Sequence, residues 1–153
     1  MVLFYVFIVL IPIVDFILKQ WANKNIAYGE YICTIFPFLK ITNVKNTGAA
    51  FSFFPGGRYF FIAIAILEIL IFLYVIFVRK NKDKCFLLSS SFIIGGAIGN
   101  LVDRIFYGYV FDYLKLSFFS PVCNISDYFI TIGAIILIII FLLKKQTDIC
   151  VKN

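Results

Sequence analysis

The stretch Gly95–Leu114, GGAIGNLVDRIFYGYVFDYL, begins as part of an apolar helix of membrane length and then presents Asn100, Asp103, Arg104 and Asp112. An ionisable side chain held in hydrocarbon costs at least about 2.5–3.5 kcal/mol. Two carboxylates and an arginine in one such segment therefore call for a purpose. The rest of the chain is organised by one expectation: Asp112 meets Asp127, at the start of the next apolar segment, as a two-carboxylate hydrolytic site at a membrane surface.

Composition narrows the chemistry before any further motif is read. Of 153 residues 63% are hydrophobic and only 14% charged, and the mean hydropathy is +1.02, far outside the range of a soluble domain. This is the composition of an integral membrane protein. With eight acidic residues and no histidine, serine or cysteine triads that use histidine are excluded, as are zinc sites built on it, and carboxylates remain as the acid–base groups. Cys33, Cys85, Cys123 and Cys150 are scattered without C-x-x-C spacing and read as small hydrophobes, so neither a metal nor a cofactor is expected. The formal charge of +6 gathers at helix ends instead of along one face, which argues for membrane orientation and against a nucleic-acid partner.

Four spans are expected in a single polytopic membrane domain covering 1–153, at about 2–21, 58–78, 85–107 and 127–143. The first lacks a basic leader and a small-residue exit, so a cleaved signal peptide is not expected. It carries Asp15 and Lys19 four residues apart on one face, with Trp21 as an interfacial anchor. The pair reads either as a plain ion pair or as a holder of site groups. Between spans one and two lies a long mixed loop in which Phe38–Lys45 alternates like a short β element against the membrane surface. Next comes Asn46-Thr-Gly-Ala-Ala-Phe-Ser52, either a plain turn or a place where Gly48 lets an extended peptide approach while Asn46 orients it. Glu68 falls near the middle of span two, where a structural role is the simpler reading. In span three Gly95 and Gly99 permit close helix approach, and Asn100 and Arg104 share a face with Asp103 turned about 100° away. These three read as a packing network or as part of a site. After Gly108 the chain leaves the membrane, passes Asp112, crosses a loop at 115–124 and re-enters at Ser126-Asp127-Tyr128, where Asp127 also suits a plain helix N-cap with Ser126 or Asn124 capping.

Charge sets the orientation. The loop after span two, Arg79–Lys84, holds four basic residues against one acid, and the C-terminal end three against one, so both termini are expected in the cytoplasm. Asp15, Asn46, Asp103, Arg104, Asp112 and Asp127 then all gather at the outer face. Two carboxylates held close share a proton, leaving one base to activate water and one acid to protonate a carbonyl oxygen or leaving amide. A proton-coupled channel using Glu68, Asp103 and Arg104 is the rival class, and it requires polar groups continuing across the membrane. A passive helix bundle would leave Asp112 and Asp127 unexplained.

At this point the motifs match a known family. Asp15-x3-Lys19, Asn46-Thr-Gly-Ala-Ala-Phe51, Gly95-Gly-Ala-Ile-Gly-Asn-Leu-Val-Asp-Arg104, Val110-Phe-Asp112 and Asn124-x2-Asp127 together resemble the bacterial lipoprotein signal peptidases (signal peptidase II) over nearly the whole chain. The resemblance implies an all-α membrane protein of four transmembrane helices with a small β-containing extracytoplasmic region. It implies Asp112 and Asp127 as the catalytic pair of an aspartic endopeptidase, with Asn46, Gly48, Asn100, Asp103, Arg104 and Asn124 shaping or supporting the site beside Asp15 and Lys19. The implied substrates are prolipoprotein signal peptides, cleaved just before a diacylglyceryl-cysteine, in contact with membrane lipid; a monomer is expected. Cys123-Asn-Ile-Ser-Asp127 departs from the family's usual Phe-Asn-x-Ala-Asp, which touches packing and leaves the acids in place.

Overall fold

A computed structural model describes residues 1–48, 56–80 and 83–151, the last seven of these as backbone only. Four helices in it are long and apolar enough to cross a bilayer: α1 (Val2–Asn25), α2 (Arg58–Leu73, continued by a π-helical turn Tyr74–Val78), α3 (Lys84–Phe106) and α4 (Ile125–Val151). A four-stranded antiparallel sheet completes the fold, β1 (Tyr31–Cys33), β2 (Leu39–Asn46), β3 (Val110–Leu116) and β4 (Val122–Cys123), in the order β1-β2-β3-β4. The protein is thus an all-α membrane protein of four transmembrane helices with a small sheet in its connecting segments.

Helix α3 is the centre of the bundle. Its apolar stretch is 61% buried, against 22%, 11% and 11% for α1, α2 and α4, because all three pack on it while their outer faces carry exposed Leu, Ile and Phe. Glycine makes the close approach possible. A Cβ on Gly95 would lie 2.9 Å from the Phe7 carbonyl of α1, and one on Gly99 would collide with the Ser126 hydroxyl of α4. At the far end Phe4, Ile76, Leu87 and Ile94 form an apolar core joining α1, α3 and the π turn.

The chain runs up α1 and α3 and down α2 and α4, so the sheet sits at one end of the bundle. Ala22, Ile26 and Tyr113 fasten it to the end of α1. An extra residue in β2 between Ile41 and Val44 bulges the strand, and Asn43 there turns its amide onto the Ile26 carbonyl at 3.0 Å. Beyond the bulge Val44 pairs with Asp112 and Asn46 with Val110, which places Asn46 and Asp112 diagonally on one face of the sheet. Sequence reasoning gave the chain past Asp112 no regular structure and took 115–124 for a loop, whereas Asp112 lies inside a paired strand that runs to Leu116. The strand is buried across Val110–Tyr113 without alternation, so the two-residue period that marks a half-exposed strand is missing.

Candidate active site

Lys19 is the anchor of the supporting cluster. It is 1% exposed and lies 2.6 Å from Asp15 Oδ2 and 2.9 Å from Asp103 Oδ2, a cation between two buried carboxylates. A single buried charge would be costly; here each carboxylate meets the cation and accepts further hydrogen bonds. Asp15 Oδ1 accepts from the Tyr113 hydroxyl (3.0 Å) and the Ile125 amide (3.1 Å), and Asp15 Oδ2 from the Ser126 hydroxyl (2.6 Å). Asp103 Oδ2 accepts from the Phe111 amide at 3.1 Å. The cluster therefore ties α1 to α3, to β3 and to the start of α4. Burial, reinforced by the Asp15 charge, pushes the Tyr113 phenol far above its ordinary range and keeps it a donor.

From Lys19 the network reaches the two aspartates through amides. Lys19 Nζ donates to Asn100 Oδ1 (3.3 Å), which leaves Asn100 Nδ2 to donate to Asp127 Oδ1 (2.7 Å). Asn124 Oδ1 accepts from the Asp127 amide (2.9 Å), and Asp127 Oδ2 accepts from the Asn124 amide (3.1 Å). That reciprocal pair is a capping box with Asn124 as the N-cap and Asp127 three residues on. Of the caps the sequence left open, Asn124 takes the position, Asp127 sits three residues on, and Ser126 is spent on Asp15. Asn124 Nδ2 then donates to Asp112 Oδ1 at 2.7 Å, while Asn46 Nδ2 donates to Asp112 Oδ2 at 2.9 Å. One residue, Asn124, thus holds both aspartates. Asn46 Oδ1 also accepts the Gly48 amide at 2.9 Å, fixing which way its own amide faces.

Asp112 is buried, and among the described residues only side-chain amides bond to its carboxylate. Burial first and the charge of Asp127 second raise its pKa to about 7, against the opposing pull of the Asn46 and Asn124 hydrogen bonds and of Lys19. Both aspartates line a cavity of about 440 Å³, walled by α2, α3, α4 and the sheet. Arg104 lies on its rim, donating to the Gly48 carbonyl at 3.0 Å with its guanidinium 5.0 Å from the Phe61 ring. Arg58 binds the carbonyls of Arg104 (2.8 Å) and Ile105 (2.7 Å), which clamps the start of α2 to the end of α3. Cys123 also lines the cavity, and burial, aided by the charges of Asp127 and Asp112, pushes its thiol up to about 11. Among the described residues no group of side chains is arranged to hold a metal ion.

The family model for Signal peptidase (SPase) II matches residues 7–143 of the chain. The chain belongs to the signal peptidase II family. It is 40% identical over 145 residues to the lipoprotein signal peptidase of Clostridium tetani, covering 92% of each chain. To that of Serratia marcescens it is 38% identical over 141 residues, covering 88% of this chain and 81% of the relative. A solved bacterial membrane enzyme superposes with a TM-score of 0.86 at 30% identity, over 95% of this chain and 90% of that one. A second does so with a TM-score of 0.83 at 29% identity.

In this signal peptidase II family member the fold brings together the residues expected in the site: Asp15, Lys19, Asn46, Gly48, Asn100, Asp103, Arg104, Asp112, Asn124 and Asp127. Glu68 stays apart from them, and 49–52 of the Asn46–Ser52 motif lie outside the described residues. Sequence reasoning assigned no role to Tyr113 or Arg58, and to Ser126 only that of a candidate helix cap. Tyr113 and Ser126 meet Asp15 across 98 and 111 residues of chain, and only their places beside Asp112 and Asp127 hinted at it.

Proposed function

We propose that the protein is a membrane aspartic endopeptidase that removes the signal peptide from diacylglyceryl-modified prolipoproteins, cleaving before the lipidated cysteine, with Asp112 and Asp127 as the catalytic pair. The observation that carries this is the dual grip of Asn124, whose side-chain amide and backbone amide each bind one of two aspartates, Asp112 buried and Asp127 half-buried, on one cavity. Asp127, on the first turn of α4 and bonded by amide donors, serves as the carboxylate. Asp112, with a pKa of about 7, serves as the acid.

In the step itself Asp127 takes a proton from water as the water oxygen attacks the scissile carbonyl, and Asp112 delivers its proton to the carbonyl oxygen. The tetrahedral diol then collapses, the carbon–nitrogen bond breaks, and the proton gained by Asp127 passes to the leaving nitrogen. The other hydroxyl proton returns to Asp112, which restores the starting pair. Arg104 and the Gly48 carbonyl it holds form the cavity edge where an extended peptide lies. The site opens on the outer face with both termini in the cytoplasm, supported by the four-to-one basic excess at Arg79–Lys84. The protein works as a monomer in the bacterial cytoplasmic membrane.

The test is cleavage of a diacylglyceryl-modified prolipoprotein peptide by the purified protein in detergent, with Asp112→Asn and Asp127→Asn alongside. Each substitution should abolish cleavage while the protein stays folded. Full activity in either variant would reject the pair.

A further inference from the structure

We propose that Glu68 is a specificity-determining residue for the signal peptide: its carboxyl group accepts a hydrogen bond from a serine or threonine hydroxyl in the substrate's apolar segment, on the N-terminal side of the cleaved bond. The proposal rests on the reading above that the cavity takes a prolipoprotein signal peptide.

Helix geometry places Glu68 on the same side of α2 as the cavity, one turn below the residues that line it. The cavity is lined from this helix by Phe61, Ile64 and Ala65. At 3.6 residues per turn Glu68 points about 20° from Phe61 and falls between Ile64 and Ala65 in angle. The neighbouring face of α2 is already taken, because Ile69, Phe72 and Leu73 pack into the core around Ile76 and Ile94. Depth follows from the same helices. Asn100 holds Asp127; Ala97, three residues deeper on α3, faces the cavity together with Ala65; Glu68 lies three residues beyond Ala65 on the antiparallel helix. The carboxyl is thus about 9 Å below the aspartate pair, which is roughly six residues of a helical signal peptide.

The chemistry singles this acid out. Glu68 is partly buried, and no hydrogen bond or ion pair reaches it among the described residues. Around the lower cavity Ile64, Ala65, Ala97 and Ile130 are apolar, and Thr131 on the opposite wall has donated its hydroxyl to the Asp127 carbonyl at 2.8 Å. An acid that bears the cost of leaving water without a partner is matched by a ligand that brings a donor. A hydroxyl does so without carrying a second charge into hydrocarbon, as a lysine would.

The experiment is a hydroxyl scan. Diacylglyceryl-modified peptides with an all-apolar segment are compared with versions carrying one serine at successive positions four to eight residues before the cleaved bond, using the full-length parent, Glu68→Leu and Glu68→Gln. In the parent one register should gain about five- to tenfold in kcat/KM, mostly through KM. Glu68→Leu should lose that preference, cleaving serine-bearing and all-apolar peptides alike, while Glu68→Gln, still an acceptor, should keep part of it. An equal preference in Glu68→Leu, or cleavage by the parent without any preferred register, overturns the proposal and leaves the peptidase reading intact. A parent that cleaves no peptide overturns both.

Discussion

Two carboxylate pairs lie next to each other in this protein and are treated in opposite ways. Asp15 and Asp103 have Lys19 between them, within 2.6 and 2.9 Å. Asp112 and Asp127 are held by the amides of Asn46, Asn100 and Asn124, with no cation in direct contact among the described residues. Amides position a carboxylate and offer partial charge, but they do not neutralise it. The first pair shares a cation that holds both acids in place. The second has none in contact, and burial first and the charge of Asp127 second push Asp112 up to about 7. A scaffold and a proton-transfer centre can therefore share one network, and Asn100 is the joint between them, with its oxygen on Lys19 and its nitrogen on Asp127.

The largest effect expected is on the amide-bound pair. Asp112→Asn and Asp127→Asn should each lower turnover by on the order of 10³-fold or more, since either removes the acid or the base. The sharper result is in stability. Asp112 has its pKa raised by the fold, so its contribution to stability is full below the unfolded value of 3.8 and lost as pH rises through about 7. Asp112→Asn should therefore match or exceed the parent's melting temperature in detergent above pH 7. A lower melting temperature there would mean that the pair is a structural anchor like its neighbour.

Lys19→Met tests the other half of the comparison. It leaves two buried carboxylates facing each other, at a cost of about 3–5 kcal/mol, and thermal unfolding should show it as the most destabilising of these substitutions. The triple change Asp15→Asn, Lys19→Met, Asp103→Asn removes all three charges and should recover much of the stability. Activity should stay low, because nothing then fixes the Asn100 amide toward Asp127.

How far this division can be read from sequence depends on the range of each interaction. The helices follow from apolar length, and the aspartates stand out because the chain has only eight acidic residues. Lys19 four residues after Asp15 is equally local. Its second partner, Asp103, is not, and the spacing left open whether Asp15 and Lys19 were an isolated pair. The cap of α4 had three candidates in the sequence, because Asn124, Ser126 and Asp127 all suit helix starts. The choice among them is made by Asp15, which captures Ser126 from another helix. Strand β3 escaped notice because both of its faces are covered, one by the bundle and one by the aromatic ring contacts of Phe111 with Tyr107 and Tyr109.

A smaller effect should come from Asn46→Ala. The Asn46 amide stabilises the ionised form of Asp112, so its removal raises the pKa above about 7. Activity requires the protonated acid, so the alkaline limb of the pH–rate profile should move to higher pH even as turnover falls about tenfold through lost positioning. An alkaline limb that stays in place would separate Asp112 from the titration.

The smallest effect is a reporter. Cys123 sits beside the aspartate pair, with its thiol held up to about 11 by burial first and by the charges of Asp127 and Asp112 next. In a background with Cys33, Cys85 and Cys150 changed to serine, alkylation at pH 8 follows the small thiolate fraction of Cys123 alone. Asp127→Asn removes a negative charge next to the thiol and should speed alkylation about two- to fivefold. Changes confined to the Lys19 cluster, such as Tyr113→Phe, remove no charge near Cys123 and should leave the rate within error. Equal acceleration in both variants would mean that loosened packing governs the thiol. Acceleration in Asp127→Asn alone would place the uncompensated charge at the aspartate pair, where the amide-only coordination puts it.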